Sequence, residues 1–167
     1  MGSIPVRVTK KHPNTKFGCF FITIRGIQMR AKQIGNHIIM RIDRGEMLLD
    51  ELNSVCRKYS VGCASVSGIG ATDSFVCGVF NLDTKEYKEL EFTGTYEILS
   101  LSGNITVKDG EPYVHLHITA GDEHGNCVGG HLKQARISAT CEIIISLIDC
   151  KVGRVHDAGS GLNLLDI

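Results

Sequence analysis

The stretch GEMLLDELNSVCRKYSVGCASVSGIGA, residues 45–71, contains both periodicities on which the fold depends. In its first half apolar residues recur at helical spacing, and they are Leu48, Leu52, Val55, Cys56 and Tyr59. Asp43 and Glu46 precede them at the spacing of a capping box, in which two side chains cap a helix N-terminus. We therefore predict one amphipathic helix over residues 45–59, followed by a strand in VGCASVSGIGA.

Most of the remaining chain has the composition of strands. Segments rich in β-branched and aromatic residues alternate with turns of Gly, Asp, Asn or Thr. The predicted strands are NHIIMRID before the helix and, after it, VGCASVSGIGA, SFVCGVFNL, EYKELEF, YEILSLSGNITV, EPYVHLHITA and ISATCEIIISLID. The turn KDGE predicts a hairpin in VKDGEPYVHL, and NLDTKEYKEL predicts another. One helix packed on a largely antiparallel sheet makes an α+β domain.

Length and cysteine usage indicate the class of protein. A chain of 167 residues with 43% hydrophobic residues suits a single domain with a real core. The seven cysteines form no CxxC pair, and most lie in apolar runs, which favours reduced, buried thiols in a cytoplasmic protein. No apolar run reaches the roughly 18 residues that a membrane span requires, so we expect no membrane partner.

Charge is unevenly distributed although the net charge is zero. Residues 1–33 contain seven Lys or Arg and no acid, whereas residues 34–167 carry a balance of −7. An acidic body lacks the electrostatic footprint of a protein that binds DNA without regard to sequence. The sequence also contains no GK[ST] and no GxSxG, which argues against a nucleotide-binding P-loop and a serine hydrolase.

The first 28 residues differ from the rest in composition, since they contain basic residues and no acid. Their short apolar run, residues 17–24, is interrupted by Arg25 and is not followed by a small-residue cleavage site, so a secretion signal is disfavoured. The segment could add an N-terminal strand, or lie upstream of a natural start at Met29. We favour the second interpretation and predict a basic, disordered or dispensable extension at residues 1–28 and a domain at residues 29–167.

Four of the seven histidines lie in YVHLHITAGDEHGNCVGGHL, residues 113–132. On a strand His115 and His117 project from one face about 6 to 7 Å apart. A hairpin centred on His124 would place His117 opposite His131, so that three imidazoles converge, while His124 stays solvated at the tip. Three histidines with an open position suit zinc or another divalent ion. The alternative is that each is an ordinary hydrogen-bonded structural residue.

The chain from Met29 to the terminal VHDAGSGLNLLDI resembles the PPC domain, the plants and prokaryotes conserved domain. The similarity rests on SGIGA, YEILSLSGNI, PYVHLHIT and GGHL, which occur in the family's order. The resemblance implies an α+β fold that assembles as a homotrimer. In plants the domain follows AT-hook motifs in nuclear DNA-binding proteins, and prokaryotic members are often called DNA-binding by that analogy.

Two departures from the plant pattern shape the functional hypotheses. The chain has no RGRP core of an AT-hook, so the minor-groove contact of the plant proteins has no counterpart. The histidines that prokaryotic members tend to keep are present as His115, His117 and His131. We favour a regulatory binding module, DNA-binding by family analogy, with a zinc or other divalent ion on these histidines.

Two other hypotheses stay open. The ion could be catalytic, in a metal-dependent enzyme that acts on a small molecule and uses Glu97 or Asp122 as its base. The ion could also be purely structural and hold the subunits of the trimer together.

Overall fold

A computed structural model describes residues 30–167 and the backbone of two short paired strands, β1 (Thr23–Ile24) and β2 (Ile27–Gln28). Apart from these two strands, the extension predicted at residues 1–28 lies outside the described residues. Its role and the domain boundary at Met29 therefore stay predictions.

The body of the protein is one antiparallel sheet of six strands in the order β3-β4-β8-β5-β6-β7. A further pairing between β7 and β8 closes a ring of four strands. The strands are β3 (Arg30–Ile34), β4 (His37–Asp43), β5 (Ala64–Asn81), β6 (Glu86–Lys108), β7 (Glu111–Asp122) and β8 (Cys127–Leu147). A separate C-terminal hairpin follows, made of β9 (Gly153–Asp157) and β10 (Leu162–Asp166).

Segments predicted as separate strands are joined into long ones. SGIGA and SFVCGVF both belong to β5, and EYKELEF and YEILSLSGNITV both belong to β6. The residues Thr72 and Asp73, which resemble a turn, form an irregularity in the pairing of β5 instead. Thr72 is buried there, and its hydroxyl donates to the Arg136 carbonyl at 2.7 Å. The bulge bends the strand without ending it.

The predicted helix exists but begins later than expected, as α1 (Leu48–Lys58). Residues 45–47 are held against β8 because the Gly45 N–H donates to the Ile137 carbonyl and the Ile137 N–H donates to the Glu46 carbonyl. The Glu46 carboxylate accepts the Asp43 N–H at 2.7 Å, but this contact closes the turn before the helix. The capping box is therefore wrong as a helix cap. The Gln134 side-chain oxygen, on β8, instead accepts the Leu49 N–H at 3.0 Å.

The helix packs its apolar face against β7 and β8. Leu48, Leu52, Val55 and Cys56 are fully buried, as their spacing predicts. Tyr59 is only half-buried, and its hydroxyl donates to the Ala31 carbonyl at 3.2 Å. Because one buried aliphatic side chain contributes about 1.5 to 3 kcal/mol, this face accounts for much of the helix's stability.

Cysteine burial follows the prediction in part. Burial raises the pKa of the Cys56 and Cys141 thiols to about 12, so both are protonated at neutral pH. Cys77 is also buried, whereas Cys127, the first residue of β8, and Cys150, in the loop after β8, are exposed. The helix of the described residues, α1, is too short at 11 residues to cross a membrane.

Candidate metal centre

The hairpin of β7 and β8 has the register predicted from its sequence, with His117 directly opposite His131. The turn between them is organised by Asp122, whose carboxylate accepts the N–H groups of His124 at 2.9 Å and Asn126 at 2.8 Å. His124 is exposed at the tip, as expected. The turn and the register together bring His115 and His117 of β7 close to His131 of β8.

One ligand nitrogen from each of His115, His117 and His131 lies within 4.8 Å of the other two. The ring centroids are 5.0 Å apart for His115 and His131, 5.3 Å for His115 and His117, and 5.7 Å for His117 and His131. Glycine allows this convergence, because a Cβ on Gly130 would lie 2.7 Å from the Gly78 carbonyl oxygen. With no side chain at Gly130, β8 can approach β5 and carry His131 towards the pair on β7.

The environment keeps two of the imidazoles neutral. Burial, assisted by the charges of His115, Lys133 and His117, lowers the pKa of His131 to about 4. Burial also lowers the pKa of His115, with smaller contributions from His117 and Arg154. A neutral imidazole has a free lone pair, which is the form that ligates a metal ion.

A buried nitrogen atom is a second reason why the three histidines fit a metal ion. The Nδ1 atom of His131 is buried and has no hydrogen-bond partner within the described part of the chain. A buried polar atom without a partner costs about 1 to 3 kcal/mol, so such an atom in a native structure calls for an explanation. A divalent ion held by the three imidazoles would supply the missing partner.

The histidines open into a cleft of about 450 Å³. Its walls include the aromatic side chains Phe80, Tyr87 and Tyr113, and the C-terminal hairpin contributes Leu162, Asn163 and Leu164. The Tyr87 ring lies 5.1 Å from that of His131. Sequence reasoning missed most of these residues because they come from strands distant in the chain. Tyr113 is the exception, since it alternates with His115 and His117 on β7, and that alternation was the signal that could have found it.

Arg154, from β9, is the cation of the cleft and was also missed. Its Nε donates to Thr106 Oγ1 at 2.9 Å, one Nη to the Asn163 carbonyl at 3.0 Å, and the other to Asn104 Oδ1 at 2.6 Å. The guanidinium carbon lies 4.8 Å from the centroid of the Tyr113 ring. These contacts fix the orientation of the arginine beside the histidines.

The two carboxylates considered as bases lie elsewhere. Asp122 holds the β7–β8 turn, and Glu97 is exposed on β6 opposite Gly121. Gly121 is four residues beyond His117 on the same strand, which corresponds to about 13 Å. Neither carboxylate lines the cleft, so the structure gives no support to their role as a base at this site.

A model of the Plants and Prokaryotes Conserved (PCC) domain matches residues 29–149. This range contains the three histidines and ends before β9. Among curated proteins, none matches the chain.

Solved structures resemble most of the chain. A candidate DNA-binding protein from Bacteroides thetaiotaomicron has a TM-score of 0.80 and 31% identity, over 83% of this chain and 96% of its own. A metal-containing protein from Archaeoglobus fulgidus has a TM-score of 0.72 and 33% identity, over 79% and 94%. A plant- and prokaryote-conserved (PPC) protein from Pyrococcus horikoshii has a TM-score of 0.71 and 32% identity, over 85% and 97%. The chain therefore belongs to the Plants and Prokaryotes Conserved domain family.

Proposed function

We propose that the protein is a metal-dependent binding module in which His115, His117 and His131 hold one divalent ion. The observation that carries the proposal is the convergence of three imidazoles, one of which has a buried nitrogen without a partner. Three protein ligands leave a fourth position open, as in zinc sites that bind a water or a ligand. The open position would face the cleft.

Zinc is the first choice of ion, because an all-imidazole set suits zinc better than calcium or magnesium, which prefer oxygen. The metal-containing relative from Archaeoglobus fulgidus supports a metal in this fold. Elemental analysis of protein purified without added metal tests the proposal, with one divalent ion per chain expected. No ion in the purified protein, and none taken up on dialysis against zinc, would overturn it.

A binding role is favoured over hydrolysis. No Asp or Glu occurs among the described residues that line the cleft, so a bound water would have no carboxylate base beside it. A metal with an open position still binds ligands without such a base. The proposed role is therefore recognition of a small molecule that regulates the protein, and buried thiols support residence in the reducing cytoplasm.

The relatives named as candidate DNA-binding proteins make DNA a partner to test. The charge balance of −7 over residues 34–167 does not favour sequence-independent binding by the domain. We therefore assign any DNA contact to the basic residues 1–28. A variant starting at Met29 should cause no mobility shift at submicromolar concentration near physiological salt, and a shift would restore the domain as the DNA-binding part.

Self-association as a homotrimer is proposed from an apolar sheet face. The side chains of Ile39, Ile69, Leu99 and Ile144 are exposed and line one groove across β4, β8, β5 and β6. Ile39 and Ile144 are paired directly across β4 and β8. A second copy would cover this surface. Light scattering should give about three times the chain mass of 18.2 kDa, and a monomer at micromolar concentration would contradict the proposal.

A further inference from the structure

Arg154 differs in its partners from those arginines of the described structure that form ion pairs. Arg41, Arg57 and Arg136 each pair with a carboxylate. Arg154 is half-buried and donates only to neutral oxygen atoms, and no acid pairs with it among residues 30–167. Removing a cation from water without a counter-ion costs free energy. An anionic ligand would supply the counter-ion that the Arg154 guanidinium lacks.

With a divalent ion on the histidines, the cleft would offer such a ligand two positive groups, the ion and Arg154, and none of the residues that line it is an acid. Arg154 and the three histidines line the same space, and Arg154 is near enough for its charge to act on His115. Three of the five guanidinium N–H donors are used by Thr106, Asn104 and Asn163. Two donors remain for a ligand. With a divalent ion bound, neither the ion nor Arg154 would be neutralised by the lining residues.

The rest of the lining indicates what the anion is attached to. Val79, Phe80, Tyr87, Leu162 and Leu164 present apolar surface around the charged groups. The volume of about 450 Å³ lies in the range of pockets for small ligands, roughly 300 to 1,000 Å³. An inorganic anion would leave these walls unused. A compact organic acid would use them.

We propose that the cleft binds a small organic carboxylate, whose head group bridges the open metal position and Arg154 while its apolar body lies against Phe80 and Tyr87. This inference rests on the proposed three-histidine metal site and names the ligand class of that site. Arg154 is then the residue that selects a charged head group over a neutral one of the same shape.

Cobalt(II) in place of zinc provides a visible absorption spectrum that reports on ligands at the metal. The cobalt-loaded protein is titrated with benzoate and, as the neutral match in shape, with benzamide. Benzoate should shift the spectrum saturably, and benzamide should bind at least about tenfold more weakly, as expected for loss of one charge-assisted contact. Benzamide binding as tightly as benzoate, or inorganic phosphate binding more tightly, would overturn the proposal.

Arginine variants separate the ligand from the metal. Arg154→Met should take up the same amount of cobalt but weaken benzoate by about tenfold or more. Arg136→Met, at an exposed arginine paired with Asp73, is the matched control and should leave both unchanged. Arg154→Lys keeps the charge without the planar fork and should be intermediate. It decides the matter if the methionine variant does not fold.

Two failures would be distinguishable. If the wild type takes up no cobalt, the metal site itself is wrong and the ligand proposal falls with it. If it takes up one cobalt per chain but Arg154→Met and Arg154→Lys bind benzoate like the wild type, the ligand proposal is wrong and the metal site stands.

Discussion

Two hairpins line the same cleft but are built differently. The hairpin of β7 and β8 is part of the main sheet. Along β7, the residues Leu116, Ile118 and Ala120 alternate with outward-facing ones and are buried in the core. The hairpin of β9 and β10 pairs only with itself and has no fully buried residue. The proposed metal ligands therefore lie on strands of the main sheet, whereas the proposed selecting residue, Arg154, lies on an appended hairpin.

The largest expected effect on stability comes from a buried residue of the β7–β8 hairpin. Leu116→Ala should lower the free energy of unfolding by about 2 to 5 kcal/mol because it opens a cavity between neighbouring strands. Leu165→Ala, on the exposed hairpin, is the matched control and should cost less than about 1 kcal/mol. Urea unfolding of both variants measures the difference. Equal losses would show that the two hairpins are integrated to the same degree.

Removal of the C-terminal hairpin should have a smaller effect. A variant ending at Gly153 keeps the Val152 carbonyl that accepts the Val107 N–H but loses the contacts of Arg154. We expect it to lose about 1 to 3 kcal/mol of stability, corresponding to a few hydrogen bonds, and to retain its metal. Loss of the metal from a folded variant would show that the hairpin supports the histidines and does not merely cover them.

The degree to which each hairpin could be predicted follows from its chemistry. Alternation around His115 and His117 and a short polar turn determine the register of β7 and β8, because a slip of one residue would bury polar side chains. Nothing local marks Arg154, whose partners Asn104 and Thr106 are about 50 residues away along the chain. Distant partners also explain why α1 begins later than predicted, since hydrogen bonds to Ile137 on β8 hold residues 45–47 outside the helix.

The pH dependence of stability tests the environment of His131 on the β7–β8 hairpin, with a smaller expected effect. The pKa of His131 is about 4 in the fold and about 6.5 in an unfolded chain. Between these values the unfolded metal-free protein binds the extra proton, so stability should fall as pH decreases from about 6.5 to 4. His131→Gln should flatten this slope in urea unfolding at several pH values. An unchanged slope would show that His131 is not held neutral by its surroundings.

The metal content of single-histidine variants tests the central claim most directly. His117→Ala should retain less than about a fifth of the metal found in the wild type, since removing one of three imidazole ligands leaves too few donors. His115→Ala and His131→Ala should behave alike. His124→Ala, at the exposed turn tip of the same hairpin, is the control and should keep one ion per chain. Equal metal content in all four variants, measured on folded protein, would contradict the three-histidine site.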